Sequence, residues 1–266
     1  MPNKPQPLHL GWSEPDFIPY KADLSFPTGP VLVLAPHPDD EVLGCTGAIL
    51  QHVRSGDRLR VMIATDSDYG HFLDGQSPVL ARQQESRDAA KLLGYGEPEF
   101  WNYPDRSLAF QPELVERIAS AIDAMQANLV YTPSLWEIHP DHYALASSVL
   151  RAVAQLSRPV TIAMYEVGMP LHPNRLLDIT DVLDIKQQAI ACFKSQLAMQ
   201  AYDRHILALN QFRTYTLPAS VRAAEAYHLL DWSSLGEKQP RSEEDLCLKL
   251  AAQSPWFKER LAHKSV

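Results

Sequence analysis

The stretch Val31-Leu32-Val33-Leu34-Ala35-Pro36-His37-Pro38-Asp39-Asp40-Glu41-Val42-Leu43-Gly44-Cys45 narrows the folds open to this chain more than any other. Residues 31–35 are apolar without interruption, as expected of a strand covered on both faces in a parallel sheet. One histidine and three consecutive carboxylates follow. Val42, Leu43, Ala48, Ile49 and Val53 then recur at helical spacing, with Asp39 or Asp40 suited to cap the helix. The order predicts a strand, a polar turn suited to catalysis, and a helix.

The pattern continues downstream. Residues 58–65 read as a second strand, 78–93 as a helix stopped by Gly94, 100–103 as a strand and 112–125 as a helix. A strand at 129–132, a helix from Pro140 to about Leu156 and a strand at 160–166 complete the series. Such alternation implies right-handed crossovers and a Rossmann-like, doubly wound, mostly parallel α/β sheet with helices on both faces. Ligands in such sheets bind beyond the carboxyl ends of the strands. Past Leu171 the expectations are an edge strand at 176–179 and helices at 181–200, 219–230 and 244–263, the last interrupted near Pro255. Residues 1–30 are expected to wrap the surface as an extended arm, and residues 66–77 have the length of a lid or substrate loop. With no repeat and no linker, residues 1–266 read as a single domain, with 231–266 as a C-terminal extension.

At 45% apolar the chain can bury a full core. A formal charge of −8 argues against nucleic acid as a partner, because phosphate binding needs a basic field. No apolar run approaches the roughly 18 residues of a membrane span. Residues 1–30 lack an apolar core of the secretory kind, so no leader is expected there. The three cysteines, Cys45, Cys192 and Cys247, have no paired spacing, which points to a reducing cytoplasm and away from disulfides or a cysteine zinc site.

A second polar cluster, His139-Pro140-Asp141-His142, stands at the head of a predicted helix, with Pro140 suited to its first position. Each cluster offers two metal-binding residues three apart, which are neighbours on a helical turn. Together they describe a His/Asp/His site built from two strand ends, with a carboxylate and an imidazole left over for proton transfer. A hydrolytic zinc site wants three such ligands and an open position for water. Zinc would lower the pKa of that water from ~15.7 toward ~7.

Pro36-His37-Pro38-Asp39-Asp40-Glu41, followed about a hundred residues later by His139-Pro140-Asp141-His142, resembles the paired motifs of the PIG-L or LmbE-like zinc-dependent de-N-acetylases. Arg82-Gln83-Gln84-Glu85 and Lys186 with Ser195-Gln196 are similar to further segments of that family. The resemblance implies that His37, Asp40 and His142 hold one zinc per chain. Ferrous iron or another divalent ion also suits such donors. It implies Asp39 as general base and His139 as the imidazole that stabilises the oxyanion or protonates the leaving group. Arg82 and Asp105 match positions that bind sugar hydroxyls, although Arg106 follows Asp105 where many relatives have Gly. The implied reaction is hydrolysis of the N-acetyl group of an N-acetylglucosamine-type sugar or glycoconjugate, releasing acetate. Self-assembly into a homo-oligomer is left open.

Other residues have plainer readings. Glu41 either orients a ligand or simply suits a helix N-terminus. Asp141 reads as a first-turn residue facing the helix dipole. Cys45 reads as a small buried hydrophobe. His9, His52, His71, His172, His205, His228 and His263 lack metal spacing and read as surface histidines. Trp101, Trp136 and Tyr143 could wall a sugar site, although aromatics more often fill cores.

Two alternatives compete with the deacetylase. An amidase acting on another N-acyl amine or thiol conjugate would use the same residues. A non-catalytic Rossmann-like ligand-binding module would keep only the frame, but His37-Pro38 stands where a phosphate loop needs glycine. A phosphoesterase would want a two-metal carboxylate site and a basic pocket, and the sequence offers neither.

Overall fold

A computed structural model describes residues 14–16, 18–68, 75, 77–108 and 112–231. Five strands, β1 (Val31–Ala35), β2 (Leu59–Thr65), β3 (Glu99–Tyr103), β4 (Leu129–Pro133) and β5 (Thr161–Tyr165), pair in parallel in the order β3-β2-β1-β4-β5. The helices between them are α1 (Asp40–Ser55), α2 (Pro78–Leu93), α3 (Pro112–Met125) and α4 (Pro140–Gln155). The chain runs outward from β1 through β2 to β3, then returns to lay β4 on the other side of β1. That reversal opens a crevice at the carboxyl ends of β1 and β4, where both polar clusters emerge.

Strands β1, β2, β4 and β5 are buried on both faces over most of their length, so each sends alternate residues to different cores. Val31, Val33 and Ala35 pack with Ile49 of α1 and Ala90 of α2, whereas Leu32 and Leu34 pack with Ile118 of α3 and Val149 of α4. This is why the sequence shows continuous apolar runs instead of period-two alternation.

Beyond β5 the sheet gains β6 (Arg175–Asp178) and β7 (Ala224–Asp231), with β7 inserted antiparallel between β5 and β6. The helix expected at 219–230 is therefore a strand. Ala224, Ala226, Tyr227 and Leu230 are distributed among three separate apolar clusters, so alternation is absent and the alanines mimic helix composition. The single helix expected at 181–200 is instead a 3-10 turn (Thr180–Val182), α5 (Leu183–Ile190) and α6 (Lys194–Leu197). The chain bends because Phe193 turns into the core, while the amide and hydroxyl of Ser195 donate to Glu85 of α2 at 2.8 and 2.6 Å. A further helix, α7 (Tyr202–Phe212), was not expected.

In the N-terminal arm Asp23 forms a parallel bridge with Leu177 of the edge strand, while Phe26 is buried in the core against Tyr131 and Tyr227. The helix expected at 244–263 and most of the 66–77 loop lie outside the described residues, as do His9, His71, His263 and Cys247. His52 and His228 are not surface residues. His52 is fully buried between Asp57 Oδ2 (2.8 Å) and the Tyr131 hydroxyl (2.9 Å), and His228 Nδ1 donates to the His172 carbonyl at 2.8 Å. Among the described residues no helix is long and apolar enough to cross a membrane.

Candidate metal centre

The turn after β1 is shaped by its own polar atoms. The His37 amide donates to Asp40 Oδ2 at 3.0 Å, and Thr65 at the end of β2 holds the Pro36 carbonyl through its amide (2.9 Å) and hydroxyl (2.8 Å). Asp39 occupies the N-cap position of α1, yet its side chain makes no capping bond. Its backbone sits at φ 147°, a conformation L-residues rarely adopt. The carboxylate thereby freed from the helix accepts from Arg82 Nη2 at 3.0 Å, and the same guanidinium nitrogen donates to the Pro38 carbonyl at 2.7 Å. Glu41 supports this strained turn from beneath. Wholly buried, it accepts from the Asp39 amide at 3.0 Å, the Ser86 hydroxyl at 2.6 Å and the Tyr95 hydroxyl at 3.3 Å.

After β4 the chain reaches α4 with His139 as N-cap, its Nδ1 accepting from the Asp141 amide at 3.2 Å, and with Pro140 in the first turn. An Nδ1 that accepts leaves the proton of a neutral ring on Nε2. His142 projects one turn further.

Three atoms converge between the two turns. His37 Nδ1, Asp40 Oδ2 and His142 Nε2 lie 3.2 Å from one another along every edge of a triangle. A tetrahedral ion with bonds of ~2.0–2.1 Å spaces its ligands ~3.3–3.4 Å apart, so the triangle is one face of such a shell. Two imidazole nitrogens facing each other at 3.2 Å also need a proton or a cation between them. The donor set therefore fits a divalent ion. His37, His139 and His142 also form a group whose ligand atoms fall within 4.8 Å, as do His37, Asp105, His139 and Asp141. The triangle is the better site, because the Asp141 oxygens already accept from the Arg106 amide (2.7 Å) and the Leu108 amide (3.0 Å).

The opposite edges of both imidazoles are backed by carboxylates. His37 Nε2 lies 3.2 Å from Asp105 Oδ1 and 3.2 Å from Asp141 Oδ2, and His142 Nδ1 lies 3.5 Å from Glu137 Oε2. Carboxylate-backed imidazoles are the usual outer shell of a bound metal, fixing tautomer and ring orientation. Glu137 is itself anchored by the amides of Val167 and Gly168, at 2.7 and 3.0 Å.

The electrostatics agree with a cation-seeking site. Burial works against the charge of His37, but Asp105, Asp141 and Asp40 hold its pKa well above the ordinary range. His142 is likewise raised, against burial and through Asp40 and Glu137, to about 9. Despite its burial, Asp40 is held well below the usual carboxylate range by His142 and His37. Burial pushes Asp39 up to about 7, opposed chiefly by Arg82, and pushes Glu41 up to about 7. Burial and the neighbouring histidines lower the pKa of His139.

All seven residues singled out by the sequence line one pocket of about 430 Å³. Two of them are held by neighbours within the site. Arg82 engages Asp39, and Asp105 backs His37, so neither side chain is simply displayed to a sugar. The sequence missed Asp141 and Glu137, which sit inside and beside the second motif, because carboxylate backing of an imidazole leaves no local pattern. The far wall, with Gln196, Gln200, Tyr202 and His205, comes from α6, α7 and their connection and was also missed. Trp101, Trp136 and Tyr143 do not wall the pocket: Trp101 is buried beneath Arg117, Trp136 packs against His172 and His228, and none of the three lines it.

Known proteins resemble this chain over the same region. It is 26% identical over 192 residues to a diacetylchitobiose deacetylase of Thermococcus kodakarensis, covering 65% of this chain and 72% of that protein. It is 29% identical over 188 residues to a probable N-acetyl-alpha-D-glucosaminyl L-malate deacetylase 2 of Bacillus subtilis, covering 62% and 82%. A 4-oxalmesaconate hydratase of Pseudomonas putida also matches, at 25% over 205 residues, covering 68% and 79%. Among solved structures, the N,N'-diacetylchitobiose deacetylase of Pyrococcus horikoshii superposes with a TM-score of 0.71 over 84% of this chain and 92% of that one, at 24% identity, and so shares its fold. The family model described as PIG-L, GlcNAc-PI de-N-acetylase, matches residues 32–153, the span from β1 into α4 that carries both polar turns. Over residues 32–153 the chain is similar to the PIG-L, LmbE-like de-N-acetylase family.

Proposed function

We propose that this protein is a metal-dependent N-deacetylase that hydrolyses the N-acetyl group of an N-acetylglucosamine-type sugar or glycoconjugate. The observation that carries the reading is the 3.2 Å triangle of His37, Asp40 and His142, with the Asp39 carboxylate on the intervening turn. The deacetylases among the relatives support the substrate class.

His37, Asp40 and His142 would hold one ion, zinc by preference for a tetrahedral His/His/Asp set. Such an ion supplies Lewis acidity, acidifying water and polarising an amide carbonyl. Asp39 takes the proton of the attacking water, whose oxygen bonds to the acetyl carbon. His139, with its proton on Nε2, donates to the oxygen of the tetrahedral adduct. Collapse breaks the C–N bond; Asp39 returns its proton to the departing nitrogen, and acetate and the free amine leave. Arg82 keeps the Asp39 carboxylate aimed, while Asp105, Asp141 and Glu137 orient the ligand imidazoles.

The test is acetate release across a panel of N-acetylated amino sugars and other N-acyl amines, with and without added zinc, alongside metal analysis of protein purified without chelator. About one divalent ion per chain and zinc-stimulated acetate release from an amino sugar are expected. Release only from non-sugar amides would give the amidase reading instead. The hydratase relative favours a second reading, water addition to an unsaturated oxo-acid, so loss of the absorbance of 4-oxalmesaconate belongs in the same panel.

A further inference from the structure

The pocket lining holds one ionised side chain that the site's own chemistry does not use. Each lining carboxylate is engaged: Asp39 by Arg82, Asp40 in the ligand triangle, Asp105 against His37, and Glu137 against His142 and the amides of residues 167–168. Arg82 is spent on Asp39 and Pro38. Arg106 is different. It lines the pocket, it is exposed, and among the described residues its guanidinium has no carboxylate partner.

Its backbone, in contrast, is fixed. Arg106 sits at φ 58°, in the left-handed region that glycine occupies at lower cost. Its amide donates to Asp141 Oδ2 at 2.7 Å, and Asp141 Oδ2 is also 3.2 Å from His37 Nε2. The Ser107 amide and hydroxyl close the same turn on the Pro104 carbonyl. One carboxylate thus ties the position of Arg106 to a ligand of the metal centre. A bulky cation in a strained, anchored conformation beside a reaction centre points to a role in recognition.

We infer that Arg106 reads an anionic substituent, carboxylate or phosphate, on the substrate, so that the enzyme prefers acidic N-acetyl amino sugars to neutral ones. This rests on the deacetylase reading and extends it to the charge of the substrate. The guanidinium fork matches either anion. Because a fixed charge on the substrate is the same before and in the transition state, the contact contributes to both alike, so the preference falls on KM more than kcat.

The experiment compares three N-acetylglucosamine derivatives on the zinc-loaded full chain: the methyl glycoside, a glycoside ending in a carboxylate, and the 1-phosphate. Wild type is expected to favour one or both anions about fivefold or more in kcat/KM, carried by KM. The preference should shrink as salt rises from about 0.05 to 1 M. In Arg106→Gln the anionic-to-neutral ratio falls toward one, and Arg106→Lys restores part of it. Arg106→Gly, which relieves the backbone, gives the same fall and separates loss of charge from misfolding. Which anion wins identifies the source of the charge. A wild-type ratio near one, or a ratio that Arg106→Gln leaves unchanged, overturns the inference. If no derivative releases acetate, the deacetylase reading fails, and calorimetric binding of the same three compounds to wild type and Arg106→Gln then decides the role of Arg106 by the same ratio.

Discussion

Asp39 shows how much of this site is decided by single side chains. Its φ of 147° keeps the carboxylate off the helix end it nominally caps and turns it toward Arg82. Asp39→Asn preserves the shape and removes the base, so acetate release should fall about 10²–10⁴-fold while metal content stays near one ion per chain. Retained activity in that variant would remove Asp39 from the mechanism. Arg82 provides a sharper choice. If it aims Asp39, Arg82→Met should lower kcat with little change in KM. If it binds sugar hydroxyls, as the family resemblance implies, KM should rise instead. Asp141 joins His37 to the amides of Arg106 and Leu108, and Asp141→Asn should cost roughly 10–100-fold in zinc affinity, read by competition with a chelating dye. Spacing marked the two clusters that supply the triangle, and the family resemblance chose His37, Asp40 and His142 from them. Their carboxylate partners were not, since Asp105 and Asp141 meet His37 from distant segments and only the fold brings them together.

At the scale of elements, α1 carries Asp40 into the site and must lie deep against the sheet. It does so through Gly44 and Gly47. A Cβ at Gly44 would stand 2.3 Å from the Tyr165 ring, and one at Gly47 would stand 2.3 Å from Ile179 Cγ2 and 2.8 Å from Glu225 Oε2. Gly47→Ala should therefore destabilise by about 1–3 kcal/mol through overpacking, although alanine is the better helix former, and urea titration would show it. Behind the same helix Lys186, wholly buried, donates to the Leu43 carbonyl at 2.9 Å and to Glu225 Oε1 at 2.7 Å, while Glu225 also accepts from the Gly47 amide at 2.9 Å. Lys186→Met leaves that carboxylate buried without its cation and should cost about 3–5 kcal/mol. The parallel half of the sheet was readable because each crossover has the length and period of a strand-helix unit. The second half was not: β7 lies between partners on both edges and apolar clusters on its faces, a setting that erases alternation. The break between α5 and α6 depends on Ser195 reaching Glu85 of α2, a contact between distant parts of the chain.

For the molecule as a whole, two buried histidines away from the metal centre link stability to acid. His52 is closed between Asp57 and Tyr131, and His228 lies against the His172 carbonyl; burial lowers the pKa of both. A lowered pKa means that in the window between the folded value and the ordinary value of 6.5 the unfolded chain binds more protons than the folded one. Stability must then fall as the pH drops below about 6.5 and level off once the folded values are passed, with a slope of at most about 1.4 kcal/mol per pH unit for each histidine. The metal centre titrates as well, with His37 and His142 raised, so a single curve mixes opposite slopes. A difference measurement separates them. Urea unfolding of wild type and of a His52→Gln, His228→Gln double variant, both stripped of metal, should give a stability gap that narrows as the pH falls from 7 to 5, because only wild type loses the advantage of its neutral buried rings. A gap that stays constant across that range would mean both histidines titrate alike in the folded and unfolded chain. Their burial would then cost the charged form nothing, and the acid sensitivity of the fold would have to lie in carboxyls held below their usual range, Asp40 and Asp105.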